Sequence, residues 1–296
     1  MKPVHSRHRA MVTIDSATYA GYQTRELSVT GDGPTVILLH DFAHPADAWQ
    51  AILQRCAAAG IPAVAADLPG FGAADPFRPG PRLPQLDRFV DEMVGRHGAS
   101  CSAVVVGNSL GGLLAVRAAA RSDDDRVGAV MPVNAAGFGW TPLGRVLARA
   151  AGRRLGWLGS VPAPAAVRRQ LSDSIARYGL YGDKQAAVDP MMIRLLTDQL
   201  QQPAQRRHIL ALAREIVTEV NAVDIVPLVR CTTTVVHGRV DPIVSLAASR
   251  RLATAIGGAQ LNVLDNAGHC PQLDAPDLVF AALQDLVRVV RATMLA

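Results

Sequence analysis

Three short segments carry residue types that together can perform nucleophilic chemistry. The segment GNSLGG, with Ser109 as its third residue, fits the pattern G-x-S-x-G. The segment HGRVDPIV contains Asp241, and NAGHCPQLDAPD contains His269. A serine hydroxyl is a poor nucleophile near neutral pH, so it needs a base to take its proton and a third group to hold that base in one tautomer. This chain order of serine, acid and histidine therefore predicts Ser109 as nucleophile, His269 as base and Asp241 as its orienting group.

The elements that must position these residues alternate between short apolar runs and longer Ala- and Leu-rich runs. The predicted strands are Thr35–His40, Ala63–Asp67, Ser102–Gly107, Gly128–Asn134, Thr233–Gly238 and Leu261–Asp265. The predicted helices are Ala46–Ala59, Leu83–His97, Leu110–Arg121, Leu246–Ile256 and Pro276–Met294. This alternation is typical of an α/β fold with a mostly parallel sheet and helices on both faces. An antiparallel hairpin is expected before Thr35, at the edge of the sheet.

The alternation stops between residues 139 and 222, where helix-like segments follow one another without a strand pattern. We therefore predict a core formed by residues 1–138 and 223–296 and a helical insertion between them. Arginines alternate with apolar residues in its first part, at Arg145, Arg149, Arg153, Arg154, Arg168 and Arg169. A basic amphipathic helix that associates weakly with a membrane surface is one interpretation. A solvated helix face that covers a core is the simpler one.

Five segments in register give the chain a wider resemblance. They are LLHDFAHPADAW, DLPGFGAAD, GNSLGG, HGRVDPIV and NAGHCPQLDAPD. Through these five segments the chain resembles the α/β-hydrolase superfamily, and the resemblance covers nearly its whole length. The resemblance implies the α/β-hydrolase fold, with a helical cap inserted after the sixth strand. It also implies an oxyanion hole formed by the backbone N–H groups of Phe42 and Leu110.

Asp41 departs from the pattern of this family. Cys270 departs from the pattern of a group of hydrolases within it that Asn108 resembles. Asp41 stands where the family usually has glycine, and we expect its carboxylate to face away from the oxyanion and to bond to a neighbouring amide. Asn108, before the serine, resembles the elbow of hydrolases that cleave carbon–carbon bonds in ring-fission diketones. Those relatives usually carry a tryptophan after the catalytic histidine, where this chain has Cys270. Asn108, Trp140 and Cys270 are the candidate substrate contacts, and Trp157, Tyr178 and Tyr181 are further aromatic residues of the insertion that could line the cavity.

These residues predict a two-step acyl transfer on a carboxylic ester of a medium-sized hydrophobic substrate. Hydrolysis of a carbon–carbon bond in a ring-fission diketone is the alternative, and a ligand receptor without catalysis is a second one. No metal site and no cofactor is expected, because this reaction needs neither and the sequence contains no metal-binding or dinucleotide motif. GFGAAD fails the dinucleotide pattern G-x-G-x-x-G and leads into a proline-rich loop. His40 and His237 end apolar strands, so we expect them to be packed and hydrogen-bonded residues.

The composition narrows the classes of partner. The chain has 296 residues and a formal net charge of +5, but only 4% of its residues are aromatic, which argues against a nucleic-acid surface. The cysteines Cys56, Cys101, Cys231 and Cys270 have no C-x-x-C spacing, which favours reduced thiols in a cytoplasmic protein. No apolar run reaches the roughly 20 residues of a membrane span. The oligomeric state stays open.

Overall fold

The computed structural model describes residues 11–42, 44–99, 102–122, 126–152, 166, 169–170, 174, 181, 190–222 and 228–295. Its strands are β1 (Thr13–Tyr19), β2 (Tyr22–Val29), β3 (Val36–Leu39), β4 (Ala63–Ala66), β5 (Ala103–Asn108), β6 (Val127–Val133), β7 (Thr232–Gly238) and β8 (Gln260–Leu264). They form one sheet in the order β1-β2-β4-β3-β5-β6-β7-β8. The strands β3 to β8 run parallel to one another, whereas β2 is antiparallel to both β1 and β4. The predicted α/β-hydrolase fold class is confirmed.

The helices follow the predicted alternation. They are α1 (Gln50–Ala59), α2 (Leu83–His97), α3 (Leu110–Arg121), α4 (Pro142–Gly152), α5 (Pro190–Gln201), α6 (Pro203–Ala222), α7 (Leu246–Ala255), α8 (Pro271–Asp274) and α9 (Pro276–Leu295). The helix predicted to begin at Ala46 starts instead with a 3₁₀ turn, Ala46–Trp49, before α1. Such turns are common at the first turn of an α-helix. The expected edge hairpin is confirmed, and its two-residue turn has positive φ at Ala20 and Gly21.

The central strands are apolar on both faces because helices cover the sheet on both sides. Ile37 and Leu39 of β3 belong to one core, and Val36 and Leu38 belong to the other. Successive side chains of a strand point to opposite faces, so a strand buried on both sides must be apolar throughout. This packing fixes the carboxyl ends of β3, β5, β7 and β8, where the loops of the candidate site begin.

Helices α4, α5 and α6 lie between β6 and β7, as a helical insertion after the sixth strand requires. The boundaries at residues 139 and 222 stay predictions. Arg145 and Arg149 are exposed on α4 beside the exposed apolar residues Leu143, Val146 and Leu147. Arg169 is exposed as well, whereas Arg153, Arg154, Arg168, Trp157 and Tyr178 lie outside the described residues. Weak membrane-surface association therefore stays a prediction, and no helix within the described ranges is long and apolar enough to cross a bilayer.

Candidate active site

Ser109 occupies a strained turn between β5 and α3. Its backbone has φ 52° and ψ −109°, a conformation that residues other than glycine rarely adopt. The Ser109 N–H donates to the carbonyl of Val133 at 2.9 Å, and its own carbonyl accepts from the N–H groups of Leu113 and Ala136 at 3.0 Å each. These bonds hold the turn against the strain, so that the serine stands where strand and helix meet.

Gly107 and Gly111 must be glycine because backbone atoms lie so close to them that a side chain would not fit. A Cβ atom at Gly107 would lie 2.0 Å from the carbonyl oxygen of Gly111. A Cβ atom at Gly111 would lie 2.2 Å from the carbonyl oxygen of Leu39 and 2.7 Å from that of His40. Any larger side chain at Gly111 would therefore displace the loop that follows β3. Both glycines of the G-x-S-x-G pattern therefore have a steric reason in this structure.

The structure brings His269 and Asp241 together as a buried pair. The Nδ1 atom of His269 lies 2.8 Å from Oδ2 of Asp241, and both residues are less than a tenth exposed. The other carboxylate oxygen, Oδ1, accepts from the N–H groups of Ile243 at 2.7 Å and Val244 at 3.0 Å. The carboxylate is thus held on both oxygens, which leaves it one orientation toward the imidazole.

The charge of Asp241 sets the proton affinity of His269. Burial is the largest influence and by itself lowers the pKa of His269. The carboxylate of Asp241 raises it through its charge and its hydrogen bond, and Asp41 adds a smaller effect in the same direction. The balance leaves the pKa of His269 above its ordinary value of 6.5. An imidazole with this partner can accept a proton and stabilise the resulting positive charge.

Asn108 ties the elbow to the histidine loop. Its Nδ2 donates to the carbonyl of His269 at 2.9 Å and to that of Val133 at 3.2 Å. Its Oδ1 accepts from Nε2 of Gln272 at 3.1 Å, and the residue is fully buried. The amide is therefore occupied by contacts within the protein. Its assignment as a substrate contact remains a prediction.

Asn134 has a similar tying role that the sequence pattern did not indicate. It follows β6 with a positive φ of 44° and is fully buried. Its Nδ2 donates to the carbonyl of Gly268 at 2.7 Å, and its Oδ1 accepts from the N–H of Gly238 at 2.9 Å. It thus joins the acid loop to the histidine loop. An asparagine directly after a buried strand was the available signal, because Asn tolerates the left-handed conformation better than most residues.

Asp41 is placed differently from our expectation. It bonds to a histidine rather than to a neighbouring amide: Nδ1 of His44 lies 2.6 Å from its Oδ1. The thiol of Cys270 lies 3.8 Å from its Oδ2, and the hydroxyl of Tyr181 lies 3.4 Å from Nε2 of His44. Asp41 and His44 can reach each other because they are three positions apart in the loop after β3. Phe42, half-buried, lies between them in sequence.

The other strand-end histidines are hydrogen-bonded residues, as predicted. Nδ1 of His40 donates to the carbonyl of Asp41 at 2.8 Å, and its Nε2 accepts from the N–H of Leu68 at 2.8 Å. Nδ1 of His237 lies 2.8 Å from the hydroxyl of Ser249. Burial lowers the pKa of His40 and lowers that of His237 to about 4. Both imidazoles are therefore neutral at physiological pH.

Asp41, His44 and Cys270 are also the described residues whose types and positions could suit a metal ion, since one ligand atom of each lies within 4.8 Å of the others. Burial, followed by nearby carboxylates including that of Asp41, raises the pKa of Cys270 well above 9.0. The 2.6 Å separation between Asp41 and His44 is that of a hydrogen bond. We therefore interpret the cluster as a hydrogen-bonded group.

The remaining candidate contacts are Trp140, at a surface groove, and Cys270, next to His269. Trp140 is half-buried, its Nε1 donates to Oδ1 of Asn221 at 2.9 Å, and it lines a surface groove of about 410 Å³ between α4 and α6. Cys270 is fully buried next to His269. Whether Trp140 and Cys270 touch the substrate stays a prediction. Tyr181 is the described aromatic residue of the insertion that reaches the loop after β3.

Comparison with known proteins places this geometry in a family. The model of the alpha/beta hydrolase family matches residues 36–282. The esterase Rv0045c of Mycobacterium tuberculosis (strain ATCC 25618 / H37Rv) is 39% identical over 94 residues, which are 32% of this chain and 30% of that protein. The matched part thus spans less than a third of that relative's length.

Two solved structures share the fold over nearly the whole chain. A thermophilic esterase from Thermogutta terrifontis superimposes with a TM-score of 0.70 at 21% identity, covering 94% of this chain and 99% of that one. The 2-hydroxy-6-oxo-6-phenylhexa-2,4-dienoate hydrolase from Rhodococcus sp. strain RHA1 superimposes with a TM-score of 0.75 at 23% identity, covering 94% and 99%. At these identities the likeness extends to the fold alone.

Proposed function

Because the chain belongs to the alpha/beta hydrolase family, we propose that it is a serine hydrolase that cleaves a carboxylic ester of a medium-sized hydrophobic substrate. The observation that carries this proposal is the bond between His269 and Asp241 at 2.8 Å. The same histidine loop is joined to the elbow through Asn108. A base with a fixed tautomer beside a strained serine turn is the arrangement that acyl transfer needs.

The first step acylates the serine. The hydroxyl oxygen of Ser109 attacks the ester carbonyl carbon while its proton passes to Nε2 of His269, and Asp241 stabilises the imidazolium through Nδ1–H. The carbonyl oxygen becomes an oxyanion that accepts hydrogen bonds from the backbone N–H groups of Phe42 and Leu110. The carbonyl then re-forms as the bond to the alcohol breaks, and the alcohol leaves with the proton from His269. The acyl group remains on Ser109.

The second step returns the enzyme to its starting state. Water attacks the acyl carbon, and its proton passes to Nε2 of His269. The oxyanion forms again at the same two amides. Its collapse breaks the bond to the Ser109 oxygen, which takes the proton back from His269, and the carboxylic acid leaves. No oxidation or reduction is required in either step.

An aromatic wall beside the loop after β3 supports a hydrophobic substrate. The rings of Phe42 and Phe71 meet edge to face with centroids 5.3 Å apart, and Phe77 continues the group at 6.4 Å from Phe71. Phe42 keeps part of its surface exposed. We propose that this wall receives apolar parts of the substrate and that the helical insertion acts as a cap over it.

Hydrolysis of a carbon–carbon bond in a ring-fission diketone is the second candidate, favoured by the asparagine before Ser109. The fold match to the dienoate hydrolase from Rhodococcus is compatible with it. The amide of Asn108, however, is bonded to His269, Val133 and Gln272, and Cys270 stands where those enzymes usually have tryptophan. The ester reaction therefore remains our first proposal.

Labelling by a fluorophosphonate probe tests the nucleophile. We expect the protein to be labelled once, at Ser109, and the Ser109→Ala variant to remain unlabelled. Ser245→Ala is the matched control, because Ser245 also stands directly before a helix, where its hydroxyl accepts from the N–H of Ala248. That variant should label like the parent protein. Labelling at another serine, or none at all, would refute the assignment.

A substrate panel then separates the two reactions. Hydrolysis of p-nitrophenyl esters from acetate to decanoate is compared with that of a vinylogous 1,5-diketone bearing a carboxylate. The ester proposal predicts the higher kcat/KM for an ester of intermediate length. A higher kcat/KM for the diketone would instead identify the carbon–carbon hydrolase. Both rates must vanish in Ser109→Ala for either reaction to belong to this site.

A further inference from the structure

The loop after β3 contains a buried acid beside the proposed oxyanion hole. Asp41 and His44 are each 2% exposed, and their bond joins Oδ1 to Nδ1 at 2.6 Å. Burial by itself would raise the pKa of Asp41. The charge and the hydrogen bond of His44, together with smaller effects of the charges of His269 and His40, outweigh burial and leave this pKa below its ordinary value of 3.8. The carboxylate is therefore ionised inside the protein.

The position of this carboxylate matters for the reaction. The backbone at Leu39 and His40 packs against Gly111, two residues after Ser109, so closely that a Cβ atom there would meet both carbonyl oxygens. Asp41 follows directly and precedes Phe42, whose N–H is the proposed oxyanion donor. Negative charge in this place opposes the negative charge that develops on the substrate oxygen, and burial strengthens the repulsion because water does not screen it.

His44 is the group that can offset this charge. In the part of the chain that the structure describes, the side chains hydrogen-bonded to the carboxylate of Asp41 are the imidazole of His44 and the thiol of Cys270, while His269 and His40 act on it through charge alone. A protonated thiol carries no positive charge, whereas an imidazole can. The hydroxyl of Tyr181, 3.4 Å from Nε2, holds the ring from its other side.

We propose that His44 is a positioning residue of the hydrolytic site: it neutralises the Asp41 carboxylate and turns it away from the Phe42 amide, so that an oxyanion can form beside an acid. This inference rests on the proposed function and adds a residue to it. It accounts for the departure from glycine at position 41, since the acid is accompanied by a base three residues later.

A double-mutant cycle on p-nitrophenyl butyrate hydrolysis tests the proposal. His44→Gln keeps a hydrogen-bond donor but cannot carry a positive charge, and we expect kcat to fall about 100-fold, the scale of losing one oxyanion donor, with KM changed less than about threefold. In the Asp41→Asn background no charge remains to be neutralised. There the same substitution should change kcat less than about threefold, since the two effects are coupled.

His97→Gln is the matched control. His97 also lies between a tyrosine hydroxyl and an acid, with Nε2 2.8 Å from the hydroxyl of Tyr19 and 3.8 Å from a carboxylate oxygen of Glu26. This trio stands at the edge hairpin, away from Ser109 in the sheet order. Its kcat should stay within about twofold of the parent, as expected for a change outside the site. Thermal unfolding of every variant separates loss of folding from loss of rate.

The outcomes separate this inference from the proposed function. A parent protein without esterase activity or labelling of Ser109 would overturn both. An active parent whose His44→Gln variant is equally fast would overturn only the role of His44. A double variant as slow as His44→Gln would do the same, because that result means a structural role. If His44→Gln does not fold, Asp41→Asn is compared with the double variant, and a further loss above about threefold overturns the proposal.

Discussion

Among the residues that the structure describes, two aspartate–histidine pairs are buried, and they differ in what surrounds them. Asp241 and His269 come from loops 28 residues apart, and Asp41 and His44 from one loop. In both pairs Nδ1 lies within 2.8 Å of a carboxylate oxygen. The second oxygen of Asp241 accepts from two backbone amides, whereas that of Asp41 faces a thiol.

The partners of the imidazoles differ as well. Nε2 of His44 faces the hydroxyl of Tyr181. The loop of His269 is bonded to Asn108, the residue before the strained serine. An aspartate–histidine bond therefore does not identify a catalytic base by itself. Our proposal assigns the role of base to His269 because its loop is bonded to the residue before the strained Ser109.

Exchanging the two acids for amides should give the largest difference. Asp241→Asn removes the charge that stabilises the His269 imidazolium and favours the wrong tautomer, so we expect kcat to fall about 10⁴-fold. Asp41→Asn should lower kcat at most about tenfold, since it removes a charge that opposes the oxyanion. Steady-state hydrolysis of p-nitrophenyl butyrate measures both. Equal losses would mean that the pairs are equivalent, contrary to our assignment.

A methyl group at Gly111 should damage both regions together. Gly111→Ala places a Cβ atom 2.2 Å from the Leu39 carbonyl and so pushes the loop of Asp41 away from the elbow. We expect a loss of kcat of about 100-fold or more and a decrease in the unfolding free energy of about 3 kcal/mol. Gly257→Ala is the control, because no atom lies within 4 Å of its added Cβ. Chemical denaturation and kinetics of both variants provide the measurement, and equal behaviour would contradict the packing.

Loss of the Asn108 side chain should affect the Asp241–His269 pair and not the Asp41–His44 pair. Asn108→Ala leaves the His269 carbonyl and the Gln272 amide without this partner, and we expect the unfolding free energy to fall by about 2 kcal/mol. A kcat loss of about tenfold should accompany it because the histidine loop is less well held. Asn221→Ala, which removes one bond to Trp140, should cost less than about 1 kcal/mol. Urea unfolding ranks the two variants by their free energy of unfolding. A reversed ranking would argue against the role of Asn108 in joining the elbow to the histidine loop.

The smallest effect should appear in the pH dependence. The base must be neutral to act, so kcat/KM rises with pH through the pKa of His269, which lies above 6.5. Asp41 contributes to raising this pKa. In Asp41→Asn the acid limb of the profile should therefore move to lower pH, by less than about one unit. A pH series from 5 to 9 measures it, and an unmoved or upward-shifted limb would show that the pairs do not interact.

Much of the fold could be predicted because its signals are local. The helix α2 has the predicted bounds, since Pro84 lies in its first turn and Gly98 follows its last residue. Helix α3 also has its predicted bounds, starting directly after Ser109. The steric need for glycine at position 107 is likewise local, since an added Cβ atom there would meet the carbonyl oxygen of Gly111. These features depend on neighbours in the sequence, so the sequence alone reveals them.

The contacts between loops were beyond sequence reasoning. The histidine loop accepts hydrogen bonds from Asn134 and Asn108, which follow or end other strands. The bond between Asp41 and His44 depends on a turn that the sequence did not indicate. We expected Asp41 to bond to an amide, because nothing in the pattern indicates which way a short side chain turns in a tight loop. The approach of Cys270 to Asp41 spans 229 positions of the chain.

The sequence by itself determined the order of strands and helices, the elbow at Ser109 and the segments that contain Asp241 and His269. It could do so because periodicity, glycine sterics and loop position are properties of short segments. Only the tertiary structure decided that Asp241 is held on both oxygens and that the acid at position 41 is paired with His44. Those outcomes depend on side-chain directions at the meeting point of several strand ends, and packing of the whole sheet sets those directions.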